Sequence, residues 1–310
     1  MRSILSVLCL FLISAGVAFA QAPAPREEQP EFIKQGQQLL HEGKLDDALA
    51  LYRQTLESSP DSRPALLAAG SVLDLLGRGP DARVYFQKAI DSADVPEHKA
   101  EAERAMAISY AFESNCAKAA EYEQQVFNYF VTIKNFYQQG EIADEAGRIC
   151  LEAGDPQAAH HWYELGNDSG LEEPNITEAR ADLWSFRLEH ALARIAARRG
   201  NHQEALNHIA AAKVILAKGN IPEQAQFFPY LEGYVAFYAQ DYNSALQDLL
   251  KANQKDPFIQ CLIAQTYEKL GDKQKALDYY QQASRATSHN PPAAYAVPFS
   301  RNKLANSKTQ

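Results

Sequence analysis

Three thiols and two pairs of histidines are the side chains best placed by type for covalent or metal chemistry, and their spacing supports neither. Cys116, Cys150 and Cys261 stand too far apart for a C-x-x-C redox or zinc motif. His160 and His161 are adjacent, so on a helix they point in different directions and cannot chelate one ion as an i, i+4 pair does. His202 and His208 do not share a helix face well. The stretch His41-Glu42-Gly43-Lys44-Leu45 begins like H-E-x-x-H but carries Leu45 where the second histidine belongs. No G-x-S-x-G, P-loop or G-x-G-x-x-G is present. The expectation is a non-catalytic chain with no metal and no cofactor. Asn167-Asp168-Ser169 and Asn175-Ile176-Thr177 match the N-glycosylation pattern, which matters only in a eukaryotic secretory pathway.

The compartment in which the thiols work is set by the N-terminus. Arg2 is followed by an apolar run from Ile4 to Val17 and then by Ala18-Phe19-Ala20, the pattern of a signal peptide over residues 1–20 with cleavage after Ala20. Cys9 is preceded by Leu8 rather than a small residue, unlike a lipoprotein attachment site. Residues 21–29 are Pro/Ala-rich and then charged, as in a linker. This predicts an exported chain, periplasmic or secreted. No later segment approaches the ~20 apolar residues of a bilayer helix, so no stable membrane span is expected once the leader is removed. The 310-residue chain carries a net charge of −9 and 46% hydrophobic residues. That charge argues against a nucleic-acid partner, because phosphate binding draws on lysine and arginine. An odd number of exported cysteines leaves at least one unpaired or bridged between chains.

The rest of the chain is organised by seven alanines: Ala48, Ala82, Ala119, Ala159, Ala205, Ala245 and Ala276. Each has a small residue twelve positions earlier and a turn residue five positions earlier. Most have a large side chain four positions later. Gly36, Gly43, Ala48 and Tyr52 form the first register; Gly70, Gly77, Ala82 and Phe86 form the second, 34 residues on. Ser114, Gly154, Gly200, Gln240 and Gly271 take the turn place in the later registers, and Glu123 replaces the large residue in the third. Small residues at helix crossings permit close approach, and the large ones fill the space that remains. Turn residues at Gly166–Thr177 predict a surface loop. After Arg285 the pattern stops, leaving residues 286–310 as a Pro-containing tail, partly docked and partly disordered.

This 34-residue grammar resembles the tetratricopeptide repeat (TPR) family. The resemblance implies an all-α, right-handed superhelical solenoid of about seven antiparallel helix pairs over residues 30–285. It also places the first helix of each pair on a concave groove. Applied to the fifth and sixth repeats, it puts Arg187, His190, Arg194 and Arg198 beside Phe227, Tyr230, Tyr234, Phe237 and Tyr238 as a ligand-binding groove. Arginine forks and tyrosine rings suit an extended protein or peptide with an acidic or carboxylate group. The inward places of repeat four, Glu141, Asp144, Arg148 and Glu152, are mostly acidic, which would give the ligand a direction. The stacking order also brings Cys116 near Cys150, a candidate disulfide. The Lys/Asn carboxylate clamp of chaperone-binding TPR domains is not reproduced.

Two functions follow from that resemblance. The first is a non-catalytic scaffold or assembly adaptor in the cell envelope. The alternative is an accessory or regulatory subunit of an envelope enzyme, with the groove tyrosines contacting glycan.

Overall fold

The computed structural model describes residues 29–307; the predicted leader and nearly all of the predicted linker lie outside them. Among the described residues there are helices and no strands. Seven antiparallel pairs follow one another: α1 (Glu31–His41) with α2 (Leu45–Ser58), α3 (Arg63–Leu75) with α4 (Gly79–Asp91), α5 (Pro96–Phe112) with α6 (Cys116–Thr132), and α7 (Phe136–Glu152) with α8 (Pro156–Leu171). They continue with α9 (Glu178–Arg198) and α10 (His202–Ala217), α11 (Phe228–Tyr238) and α12 (Tyr242–Leu249), and α13 (Pro257–Leu270) and α14 (Lys273–Ala283). A 3₁₀ turn over Pro222–Phe227 leads into α11, and a final helix, α15, spans Pro291–Ser307.

Every turn residue read from the sequence has a positive φ, from 55° at Ser114 to 90° at Gly154. The α13–α14 turn shows why. Gly271 sits at φ 86°, which lets Asp272 N donate to Tyr267 O at 3.0 Å, and the Asp272 side chain then accepts from Lys275 N to cap α14. One residue closes a helix and the next opens its partner.

All seven alanines are buried. The glycines twelve residues before them are cradles for the large side chain of the same repeat. A Cβ on Gly36 would fall 2.0 Å from Tyr52 Oη, and one on Gly70 would fall 2.5 Å from Phe86 Cε1. Trp184, at the start of repeat five, uses the same device twice: a Cβ on Gly140 or Gly170 would meet its ring at 2.3 or 2.2 Å. This corrects the loop expected over Gly166–Thr177. Gly166 and Gly170 belong to α8, where they admit neighbouring groups to the helix surface, and the connection is confined to residues 172–177. Asn167-Asp168-Ser169 is therefore helical, with Ser169 buried.

Cys116 and Cys150 form a disulfide with Cα atoms 4.7 Å apart, tying the start of α6 to α7 across the third and fourth repeats. Cys261 is free and buried, its thiol pushed up to about 12 by burial.

Over its described part the expected tail forms a docked helix. Pro291 and Pro292 begin α15, because proline costs little in a helix's first turn. This helix crosses the inner surface of the array and packs on α3, α5, α7 and α13 as well as on α14. Ala293, Ala294 and Val297 are buried against Leu75, Ile108, Phe112 and Ile149.

Candidate functional site

The first helices of the fourth, fifth, sixth and seventh pairs, with Tyr163 of α8 and the loop before α13, line an open cavity of about 360 Å³ that has the 3₁₀ turn at its edge. Five predicted groove residues line it: Arg187, His190 and Arg194 from α9, Phe227 from the end of the 3₁₀ turn, and Tyr230 from α11. Phe227 is 44% exposed, an apolar side chain open to solvent.

The other four are engaged elsewhere. Tyr234 is 0% exposed and packs in the core, its ring 4.8 Å from Tyr238. Tyr238 Oη accepts from Arg198 Nη1 at 2.9 Å, and Arg198 is also paired with Glu152 Oε2 at 3.5 Å. Phe237 packs edge-on to Tyr238 and Tyr242. Neighbouring apolar side chains at helical spacing fill the inter-repeat space here, so only the outermost aromatics reach the cavity.

The acidic band of repeat four does not offer a second pole to a ligand. Arg187 pairs with Glu141 and lies 3.8 Å from Asp144 Oδ2, and Arg198 takes Glu152. The contrast between repeats four and five is resolved as salt bridges between them.

Arg148 is the residue whose role at this cavity the sequence reading passes over. It was visible as the lone base among the acidic inward places of α7. Its guanidinium lies 5.3 Å from the Phe258 ring centre, and its Nε is buried without a hydrogen-bond partner. Arg194 is 6% exposed and donates to Tyr163 Oη at 3.0 Å and to the His190 carbonyl at 3.4 Å. Among the described residues neither Arg148 nor Arg194 has a carboxylate within 4.0 Å. The nearby acids have other partners: Glu141 and Asp144 face Arg187, Glu152 Oε2 pairs with Arg198 while its Oε1 is buried without a hydrogen-bond partner, and Asp256 caps the α13 N-terminus through Phe258 N and Ile259 N.

Two more polar groups meet the cavity unsatisfied. Tyr230 Oη and His190 Nε2 are both buried without partners. Burial, reinforced by the charges of Arg194 and Arg148, holds His190 well below its usual range, so it is neutral near pH 7. Burial also raises Tyr230, which keeps its hydroxyl proton. Burial pushes Asp144 up to about 7, against the opposing pull of Arg187. Two unneutralised guanidinium groups with a phenol and an imidazole make an anion-binding geometry. A wider depression of about 910 Å³ lies between α10, α11 and α12, lined by Leu206, Ile209 and Lys213 among others; none of the orphaned buried polar groups lines it.

Comparison with known proteins agrees with the repeat reading. Residues 33–95 and 259–290 each match a tetratricopeptide repeat family model. The chain therefore carries tetratricopeptide repeats in its first two and its last helix pairs, within an all-helical solenoid. A search of curated proteins found no match. Among solved structures, a tetratricopeptide repeat protein from Parabacteroides merdae is 14% identical over 88% of this chain and 98% of its own, with a TM-score of 0.48. A protein of nearly identical TPR-like repeats from Podosopora anserina is 16% identical, covering 61% and 94%, also with a TM-score of 0.48. The Cut9–Hcn1 hetero-tetramer of the APC/C is 18% identical, covering 86% and 48%, with a TM-score of 0.44.

Proposed function

We propose that this chain is a non-catalytic scaffold or assembly adaptor of the cell envelope that binds a protein or peptide by an acidic or carboxylate group. One observation carries the reading: Arg148 and Arg194 face a cavity of about 360 Å³ without a carboxylate partner, alongside the unpartnered Tyr230 hydroxyl. An anion there would satisfy donors that are otherwise buried at a cost of about 1–3 kcal/mol each. The cavity volume lies at the small end of ligand sites, roughly 300–1,000 Å³, and suits one anchored side chain or chain end of a larger partner. Phe227 offers that partner an apolar contact.

An exported location is supported by the leader pattern and by the Cys116–Cys150 bridge, a bond that persists in oxidising compartments. The glycan-contacting alternative depends on free tyrosine faces. Tyr234 is in the core and Tyr238 is held by Arg198, so the peptide reading has more behind it.

The test is an array of short peptides, with free or amidated C-termini and with or without Asp and Glu, titrated against the full chain and its Arg148→Met and Arg194→Met variants. Preference for acidic or free-carboxylate peptides that falls at least ~10-fold in both variants, with helicity retained, is the expected result. Equal binding of amidated neutral peptides would remove the reading.

A further inference from the structure

The inner surface of the second to fourth repeats is already occupied, and its occupant displays what that surface recognises. His289, just before α15, places Nε2 2.8 Å from Asp74 Oδ2, and its ring lies between Phe86 and Phe112 at 5.4 and 5.5 Å. Asp74 is buried on α3 and also accepts from Ser109 Oγ of α5 at 2.9 Å. Ala293, Ala294 and Val297 then lie on an apolar floor made by Leu75, Ile108 and Ile149. Beyond them Arg301 donates to the Leu75 carbonyl at the C-terminus of α3, where the helix dipole favours a cation. Outside this surface, Lys303 pairs with Glu268 of α13, in the seventh pair, at 2.9 Å. The occupant is thus a helix with a small-residue face and basic groups at both ends.

Charge and fit both indicate an exchangeable occupant. Residues 286–310 contain Arg301, Lys303 and Lys308 and no acidic residue, within a chain of net charge −9. The segment follows α14 through residues 284–290, and its other face, with Ala296, Tyr295 and Phe299, packs on α13 and α14. It does not fill its bed: a cavity of about 240 Å³ remains between α15 and the second and third repeats, bordered by Asp74, Phe112, Pro298 and Arg301. Pro298 lies inside the helix, where it removes a backbone hydrogen bond. Arg301 is drawn into the protein with carbonyls, not a carboxylate, as its hydrogen-bond acceptors, and burial lowers its pKa.

We propose that the inner groove of repeats two to four is a receptor for a basic helix with a small-residue face, that α15 fills it in cis, and that a partner helix of this chemistry exchanges with α15. This site is separate from the anion cavity, and its partner has the opposite charge.

The test uses a fluorescent synthetic peptide copying residues 286–307 and the full chain in two forms, unmodified and with Ala294→Asp and Val297→Asp to eject α15. The expected result is at least tenfold tighter binding to the ejected form. That binding should weaken as salt is raised and when Asp74→Asn is added. Hydrogen exchange on the unmodified chain should show α15 amides opening at least tenfold faster than those of α5 and α7. A folded double variant that fails to bind the peptide would overturn the proposal. So would α15 amides that exchange no faster than those of the repeats, which would make α15 a fixed part of the core whether or not the double variant folds.

Discussion

His289 Nε2 lies 2.8 Å from Asp74 Oδ2, although 215 positions separate the two residues in the chain. Their contact joins the last segment to the second repeat and satisfies a carboxylate that is buried among Phe86, Phe112 and the α3 helix. His289→Ala removes the donor and leaves Asp74 Oδ2 unpaired at low dielectric. We expect a loss of about 1–3 kcal/mol in urea melts, partly restored by His289→Gln. A change below about 0.5 kcal/mol, the level of an ordinary surface substitution, would show that the contact contributes nothing to stability.

Close helix crossings predict a second stability effect. A Cβ on Gly170 would fall 2.2 Å from Trp184 Cε2, inside an indole that is 0% exposed. Gly170→Ala must displace that ring from the fourth–fifth repeat junction, at a cost of about 1–3 kcal/mol, and a bulky residue at Ala82 should cost a similar amount. Thermal melts that leave Tm unchanged for both variants would contradict the packing described.

How much of this was legible in the sequence depends on which contacts are local. Turn residues and crossing alanines recur because each repeat needs them for itself, so Ser114 and Gln240 were recognisable at the turn place despite not being glycine. Trp184 takes its cradle from both helices of the preceding pair, and the spacing of Gly140 and Gly170 carries no repeat signal. The groove residues were harder still. Helical spacing put Arg187, Arg198 and Tyr234 inward, but it could not tell that Glu141, Glu152 and the core would claim them. Docking of the tail was expected in part, but the helix α15 and the place it docks were not legible, because its partners, Leu75 and Ile149, lie in distant repeats.

Glu123 holds the place that Tyr52 and Phe86 hold in other repeats, and both carboxyl oxygens are buried without hydrogen-bond partners. Burial raises its pKa well above the ordinary 4.5, and the charge of Glu145 adds to the effect. Below the ordinary value the group is protonated in both folded and unfolded chains. As pH rises past it, only the unfolded chain ionises, so Glu123 progressively subtracts stability until the raised folded pKa is reached. Glu123→Gln should therefore stabilise the protein more at pH 7 than at pH 4, by on the order of 1–2 kcal/mol. Urea titrations showing the same difference at both pH values would refute the ionisation argument.

The disulfide closes a span of 34 residues between Cys116 and Cys150. Chain-entropy reasoning gives such a loop about 3–4 kcal/mol. Reduction, or Cys116→Ser with Cys150→Ser, should lower Tm accordingly. Unreduced protein produced from Gln21 onward, which lacks Cys9, should show one titratable thiol, Cys261, and only after unfolding, since that side chain is buried. Three thiols in the unreduced, unfolded chain would exclude the bridge.

Asp144 makes the anion cavity sensitive to pH. Burial pushes its carboxyl up to about 7, Arg187 pulling the other way and Glu141 adding to the rise. Below that value the carboxyl is neutral, and Arg148 and Arg194 face the cavity without the Asp144 charge beside them. Above it the carboxylate ionises and opposes an incoming anion. His190 does not contribute a step over this range, because burial keeps it neutral. An acidic peptide that binds the chain should therefore bind more tightly at pH 6 than at pH 8, by roughly 3–10-fold for one added charge at partial burial. Asp144→Asn should flatten that dependence while retaining the pH 6 affinity. Arg194→Met should lower affinity at both pH values. Calorimetric titration of the same peptide into the three proteins distinguishes these outcomes. A pH step that persists in Asp144→Asn would assign the titrating group elsewhere, and affinity unchanged by Arg194→Met would place the anion outside this cavity.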